Sequence, residues 1–287
     1  MNLNDMTFGI EIECAIPVTA MQAQGWAVGG YHRGENIPGF EGWKAMEDAS
    51  IHTRYPRIAC EVVSPILKGA EGLEQVRRML ATLKQMGASV NRSTGFHVHI
   101  GWGGDASQLR RLICFVAYHE KALFATTGTH SREHNQYCSS IKLRYRALEN
   151  LQTLDAIAMG HTSRYHVLNL TNLIQNPYRP AKNTVEFRVF AGTLNIVKIE
   201  AYIQLCLGMV EKAMDRAAQL PWDAPASKRQ AKEGIGDGML AVRRLINHLG
   251  WFANGNRRAY GMLDRDRRWP VVRAARRNAS CISAGRR

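Results

Sequence analysis

Three short stretches alternate apolar and ionisable residues with a period of two, and this alternation constrains the fold more than any other feature of the chain. In FGIEIE (8–13) Glu11 and Glu13 share one face while Phe8, Ile10 and Ile12 take the other. In GFHVHI (95–100) His97 and His99 oppose Phe96, Val98 and Ile100, and in TVEFRVF (184–190) Thr184, Glu186 and Arg188 oppose Val185, Phe187 and Val189. For any one of these strands a solvated outer face accounts for the pattern. Solvated faces, however, usually draw Lys, Thr, Ser and Arg, whereas these carry E-x-E, H-x-H and E-x-R with no lysine. Like charges side by side on one face repel unless a cation lies between them, which a metal centre would supply. Carboxylates dominate the set, which suits Mg²⁺ or Mn²⁺ better than a closed zinc site built on cysteine. Mg²⁺ commonly arrives with a phosphorylated substrate, and an arginine two residues from a ligand suits a phosphate, so the pattern points to a nucleotide.

The rest of the chain mixes strands and helices without a regular βαβ repeat, which predicts an α+β fold with helices packed on one face of the sheet. Residues 17–43 carry six glycines and two prolines and read as a surface excursion, a candidate substrate loop or lid. WKAMEDASI and ACEVVSPI read as extended segments. AEGLEQVRRMLATLKQMG puts Leu73, Val76, Leu80 and Leu83 on one side of a helix that Gly87 stops. SQLRRLICFVAYHEKALFA reads as a second helix with Ser107 as its cap, SRYHVLNLT as a strand, and KIEAYIQLCLGMVEKAMDRAAQL as a long helix ended by Pro221. A further helix is expected from about 238 to 248. The domain reading is residues 1–220 as the catalytic unit and 221–287 as an accessory helical segment with an arginine-rich tail.

The chain has 287 residues, 45% of them hydrophobic, enough for a substantial core. Its net charge of +14 raises a nucleic acid or another polyanion as a partner. Ten arginines between 257 and 287, against Asp264 and Asp266, put +8 of that charge in the tail. A solvated terminus accounts for it, and a polyanion contact through the tail stays open. The six cysteines form no CxxC pair, and the first segment, MNLNDMTFGIEIE, has acids where a signal peptide needs a basic and then an apolar run. No stretch approaches the roughly 20 apolar residues that span a bilayer. The expectation is a soluble cytoplasmic protein with no membrane partner.

FGIEIE, Trp43 with Asp48 of EDAS, CEVVSP, GFHVHIG, the 132–138 stretch, RYHVLNL and TVEFRVFAGTLN follow one another in the order and spacing of the amidoligase family, which the chain resembles from residue 7 to about 215. That family is related to the catalytic fold of glutamine synthetase and glutamate–cysteine ligase. The resemblance implies a curved, mainly antiparallel sheet and an ATP-dependent joining of a carboxylate to an amine through an acyl phosphate. It implies metal ligation by Glu11 and Glu13, with Glu61 as an additional acid, and by His97 and Glu186. It implies that His99 and Arg188 meet nucleotide phosphate, with Arg188 and, more weakly, Asp48 serving catalysis. The chain lacks the N-terminal domain of glutamine synthetase, so the acid and amine, whether small molecules or peptides, are not implied.

Other readings stay beside this one. The same acids and histidines could activate water in a divalent-metal hydrolase, and the arginine tail could make a nucleic-acid-binding protein. His119, His130, His134, His161 and His166 read as surface or hydrogen-bonded residues. Asn169 reads equally as a substrate contact or a structural hydrogen bond, and Arg144 and Arg146 as carboxylate anchors or a solvated face. Cys14 and Cys60 alternate onto the core face.

Overall fold

The computed structural model describes residues 5–30, 33–127, 131–133, 135–141, 153–160, 163–175, 181–220 and 238–251. The chain begins with β1 (Thr7–Pro17), α1 (Val18–Ala23), β2 (Glu35–Asn36), β3 (Lys44–Met46), β4 (Arg57–Val63) and β5 (Leu67–Lys68). It continues through α2 (Gly69–Gln85), β6 (Gly95–Gly101), α3 (Ala106–Thr126), α4 (Leu154–Gly160), β7 (Leu168–Asn169) and β8 (Thr184–Ala191), and then α5 (Ile196–Met214) and α6 (Gly238–His248). Among the described residues the strands form one sheet in the order β2-β3-β4-β1-β6-β8-β7, with β5 paired to the start of β1. Every strand pair is antiparallel, as the alternation requires of a sheet with one packed and one polar face.

The packed face carries Phe8, Ile10, Ile12, Phe96, Val98 and Ile100, all buried, and the helices lie over it. α2 turns Val76, Met79, Leu80 and Leu83 inward, and the space beside Gly72 is closed by Phe8 and Leu67, so helix and strand touch where a larger residue would not fit. α5 stacks Tyr202 on Phe190, ring centroids 4.1 Å apart and nearly parallel, with Phe96 beside both. Burying each such large apolar side chain contributes about 1.5–3 kcal/mol, so this layer supplies much of the driving force. α6 buries Val242, Leu245 and Ile246, followed by Leu249 and Trp251. Trp251 covers Gly208 of α5, so the helix that the sequence sets apart as accessory packs on the same core. Among the described residues no helix is long and apolar enough to cross a membrane.

Four local expectations change. α3 is capped by Asp105, not Ser107. The Asp105 side chain accepts from Gln108 N–H at 2.9 Å, and Gln108 Oε1 accepts from Asp105 N–H at 3.0 Å, a reciprocal box that Ser107, inside the first turn, cannot form. α5 ends at Met214, with Asp215 extended, before Pro221 can act. SRYHVLNLT yields only the two-residue β7, after which Thr171–Leu173 closes a 3₁₀ turn. The glycine-rich stretch 17–43 contains α1 and the edge strand β2 and buries Trp26, Ile37 and Trp43, so much of it is structural edge instead of free lid.

β8 also departs from simple alternation. Phe96 pairs with Phe190 but Val98 pairs with Phe187, so one residue of β6, His97, faces two of β8, Arg188 and Val189. This bulge rotates Phe190 onto the helix face, where it meets Tyr202, and leaves Arg188 aimed at the polar face.

Candidate functional site

On the polar face, strand register does what sequence spacing cannot. Glu13 of β1 lies opposite Glu61 of β4, Glu11 opposite His97 of β6, His99 opposite Glu186 of β8, and Glu186 opposite Asn169 of β7. Ionisable side chains from four strands, with Asn169 of a fifth at the end, therefore form one continuous row across the sheet. Asp48 joins from the loop after β3, its Oδ1 accepting from Ser50 N–H at 2.7 Å in a tight turn.

Glu11 ties the row together. Its Oε2 lies 2.9 Å from His97 Nδ1 and its Oε1 2.9 Å from His99 Nε2. Burial alone would raise its proton affinity, but the charge of His99 and the hydrogen bonds of both imidazoles hold its carboxyl well below the ordinary range. Burial lowers the proton affinity of His99, and the carboxylates of Glu11 and Glu186 more than reverse this and raise it. Glu186 is ion-paired with Arg188 and accepts from Asn169 Nδ2 at 2.6 Å and Asn172 Nδ2 at 3.4 Å. Burial works against the charge of Glu186 too, yet Arg188 and the histidines keep it lowered.

Glu61 behaves in the opposite way. Burial, followed by the charges of Glu11, Glu13, Asp48 and Glu186, holds its carboxyl well above the usual range. Five carboxylates crowd here, and Arg188 already serves Glu186. The donors fall into three overlapping sets, each with ligand atoms within 4.8 Å of one another: Glu11, Glu61 and His97; Glu11, His99 and Glu186; Glu13, Asp48 and Glu61. His97 adds a direct sign. Its buried Nε2 makes no hydrogen bond although Glu13 Oε1 is 3.4 Å away. Beside it a Cβ on Gly95 would come within 2.9 Å of His97 Nε2, 3.2 Å of Arg132 Nη1 and 3.3 Å of Glu13 Oε1, and Gly95 N–H donates to Glu13 Oε2. Oxygen-rich donors and an imidazole nitrogen without a hydrogen bond fit a divalent cation.

Two clefts flank the row, one on each side along the strand direction. The first, about 540 Å³, is lined by Glu13, Asp48, His97, Arg132, Tyr165 and Arg188 among others. The second, about 480 Å³, runs past Gly9, Glu11, Ser64, Ile66, His99 and Lys182. Glu11, Glu13, Asp48, Glu61, His97, His99, Glu186 and Arg188, the residues to which the family resemblance gives a role, lie in the row or on a cleft wall.

Sequence reasoning missed several neighbours. Arg132, buried, donates from Nη2 to the Arg188 carbonyl at 2.6 Å and so fixes the strand at the bulge. Arg164, Tyr137 and Tyr165 line the first cleft. The RYHVLNL motif carried two of these, but isolated loop residues have no periodicity to mark them. Asn169 resolves as a hydrogen-bond partner of Glu186. His119 pairs with His248, Nε2 to Nδ1 2.8 Å, away from the row. Cys14 and Cys60 face one another in the core, burial first of all pushing both thiols up, Cys60 to about 12. Arg144, Arg146, His130, His134, His161 and the tail from 257 lie outside the described residues.

A family described as "Putative amidoligase enzyme" matches residues 4–210. No curated protein matches the chain. Among solved structures it is similar to the ligase PafA, solved in complex with the prokaryotic ubiquitin-like protein Pup, at a TM-score of 0.50 and 11% identity over 99% of this chain. The chain spans 65% of the length of that ligase, and at this identity the likeness is one of fold. With its fold and nearly three-quarters of its length accounted for in this way, the chain belongs to the amidoligase family.

Proposed function

We propose that this protein is an ATP-dependent carboxylate–amine ligase that holds Mg²⁺ or Mn²⁺ among Glu11, Glu13, Glu61, His97 and Glu186. The observation that carries the reading is the gathering of these acids and histidines into three overlapping sets with ligand atoms within 4.8 Å of one another; burial first, and then four neighbouring carboxylates, hold Glu61 toward its neutral form, which a bound cation would reverse. Bound there, the divalent cation would neutralise the acids and draw charge from the transferring phosphoryl group.

The chain's own residues divide the remaining work. His99 stands where the row meets the second cleft and is the nucleotide-phosphate contact; the sparsely charged walls beyond it, with Gly9 and Ile66, take the rest of ATP. Arg188 stays cationic, since burial is outweighed by the carboxylates of Glu186 and Glu11, and spreads the charge of the phosphoryl group in flight. The acid and the amine enter by the first cleft. An oxygen of the acceptor carboxylate attacks the γ-phosphorus and ADP leaves, giving an acyl phosphate. The amine nitrogen then attacks the acyl carbon, phosphate leaves with the electrons of the broken C–O bond, and the amine's proton passes to a carboxylate on the cleft wall, for which Asp48 is placed.

The ligase PafA works with a protein, Pup, so a peptide or protein carboxylate comes within this reading alongside small molecules. ATP as co-substrate and the five cysteines among the described residues, all buried and free, suit a reducing cytoplasm. Release of phosphate from ATP, followed with purified protein and a panel of acids and amines, tests the proposal. Release that needs both an acid and an amine supports it; release from ATP that needs neither contradicts it.

A further inference from the structure

Of the chain's net charge of +14, residues 238–287 carry +10. The cationic side chains there are twelve arginines with no lysine, and ten of the twelve stand in doublets, at 243–244, 257–258, 267–268, 276–277 and 286–287. Phe252, Tyr260 and Trp269 are interleaved with these doublets. Arginine doublets elsewhere in the chain serve the fold: Arg77 pairs with Glu74 and Glu200, and Arg111 donates to the carbonyls of Ala213, Asp215 and Ala218.

The first doublet of the series is fixed in space. α6 turns Val242, Leu245 and Ile246 into the core, with Leu249 and Trp251 after them, and His248 meets His119 of α3 at 2.8 Å. Helical spacing then turns Arg243 and Arg244 away from the core, where both are exposed. The other four doublets follow Trp251 in the sequence, beyond the described residues. α6 packs on α3 and, through Trp251 and Gly208, on α5, so it stands on the helix side of the sheet and not with the carboxylate row, which would repel a polyanion.

We infer that α6 and the arginine-rich sequence after it form a binding surface for single-stranded nucleic acid. The forked guanidinium matches phosphate oxygens, which explains arginine to the exclusion of lysine better than solubility does. Aromatic rings set between cations stack on unpaired bases, whose faces a duplex keeps covered. An acidic protein matches the charge but gives the interleaved rings no such role. The inference does not depend on the ligase reading.

Fluorescence anisotropy of the full chain in EDTA, titrated against a labelled oligo(dT) of about 20 nucleotides, a duplex of the same length and a polyglutamate chain, tests it over a range of salt concentrations. The single strand should bind about tenfold more tightly than either competitor, and a hundredfold or so of that affinity should be lost between roughly 50 and 200 mM salt. Arg243→Gln combined with Arg244→Gln should lower the slope of log Kd against log salt by about 1.4, because each phosphate contact on a single strand contributes about 0.7. Arg267→Gln combined with Arg268→Gln should do the same. Trp269→Ala should weaken single-strand binding about fivefold or more and leave the slope unchanged. Thermal unfolding of each variant alongside shows that α6 stays docked. No binding at low salt, or a salt slope that the Arg243 and Arg244 changes leave as it was, overturns the inference. Equal affinity for the duplex overturns the single-strand preference, and equal affinity for polyglutamate replaces nucleic acid with an acidic protein as the partner.

Discussion

Glu11 and His97 are direct partners across the β1–β6 ladder, and the carboxylate of Glu11 reaches His97 with one oxygen and His99 with the other, each at 2.9 Å. His97 Nε2 faces Glu13, 3.4 Å from its Oε1, where no hydrogen bond is made, while Nδ1 lies between Glu11 at 2.9 Å and Arg188 Nη1 at 3.4 Å. In the proposed site this arrangement would leave His97 Nε2 for a cation, in the way carboxylates behind metal-bound histidines do.

Glu13→Gln and Glu186→Gln should each weaken Mn²⁺ binding by more than the roughly 10–100-fold seen when a partner behind a ligand is lost. Folding should survive in Glu13→Gln, where neutralising one carboxylate of a crowded set removes repulsion, whereas Glu186→Gln leaves Arg188 buried without its carboxylate and should lower stability. Titration of Mn²⁺ into each variant, with thermal unfolding alongside, checks both halves. Wild-type affinity in both variants contradicts the assignment.

Asn169→Ala should lower Mn²⁺ affinity by about 10–100-fold, because Nδ2 of Asn169 holds one oxygen of Glu186 while Arg188 holds the other. Its Oδ1 also accepts from Thr171 N–H and Oγ1–H, so a stability loss on the order of 1 kcal/mol should accompany it. A stability loss without a change in Mn²⁺ affinity assigns Asn169 to the fold alone.

Glu61 should couple metal binding to pH. In the metal-free chain burial and its carboxylate neighbours raise it well above its ordinary 4.5, so the folded state keeps a proton that the unfolded chain has lost. By linkage this group's share of stability falls as pH rises past about 4.5. A metal must displace that proton, so Mn²⁺ affinity should rise with pH, and the heat of binding should depend on the buffer's ionisation enthalpy. Glu61→Gln should lose the proton release. Buffer-independent heats in the wild type contradict this.

His119 and His248 join α3 to α6 and should make that contact acid-sensitive. Burial, then the charges of His248 and Arg244, hold His119 well below its ordinary 6.5; burial and Arg244 lower His248 as well. Tyr118, packed against both rings, is the other titratable group at this contact. The unfolded chain takes up these protons first, so stability is full above about pH 6.5 and declines as pH falls through the lower folded values. Amide exchange in residues 238–251 should quicken on going from pH 7.5 to 5.5, after correction for intrinsic rates, and should do so less in His119→Leu. Equal quickening in both contradicts the pairing.

The sequence makes the polar row visible in pieces but not in its assembly. E-x-E, H-x-H and E-x-R advertise their faces because a strand's period is fixed by backbone geometry. That Glu13 meets Glu61, or that His99 meets Glu186, depends on register between segments 48 and 87 residues apart, which no local pattern encodes. The bulge at Arg188 carries no glycine to betray it. Arg132, Arg164 and Tyr165 come from loops, where single residues stand outside any periodicity. Helices were legible in extent and less so at their ends: D-x-x-Q spacing marks Asp105 as the cap of α3, whereas Ser107 lies within the first turn.

The central claim is that the row of acids and histidines holds divalent cations together with ATP. A crystal structure with Mn²⁺ and a non-hydrolysable ATP analogue, read at the manganese absorption edge, tests it most directly. The account predicts anomalous peaks about 2.0–2.3 Å from oxygens of Glu11, Glu13, Glu61 or Glu186 and from an imidazole nitrogen of His97, with the phosphates against them and the base in the cleft beyond His99. Nucleotide bound elsewhere, with no manganese in the row, would contradict it.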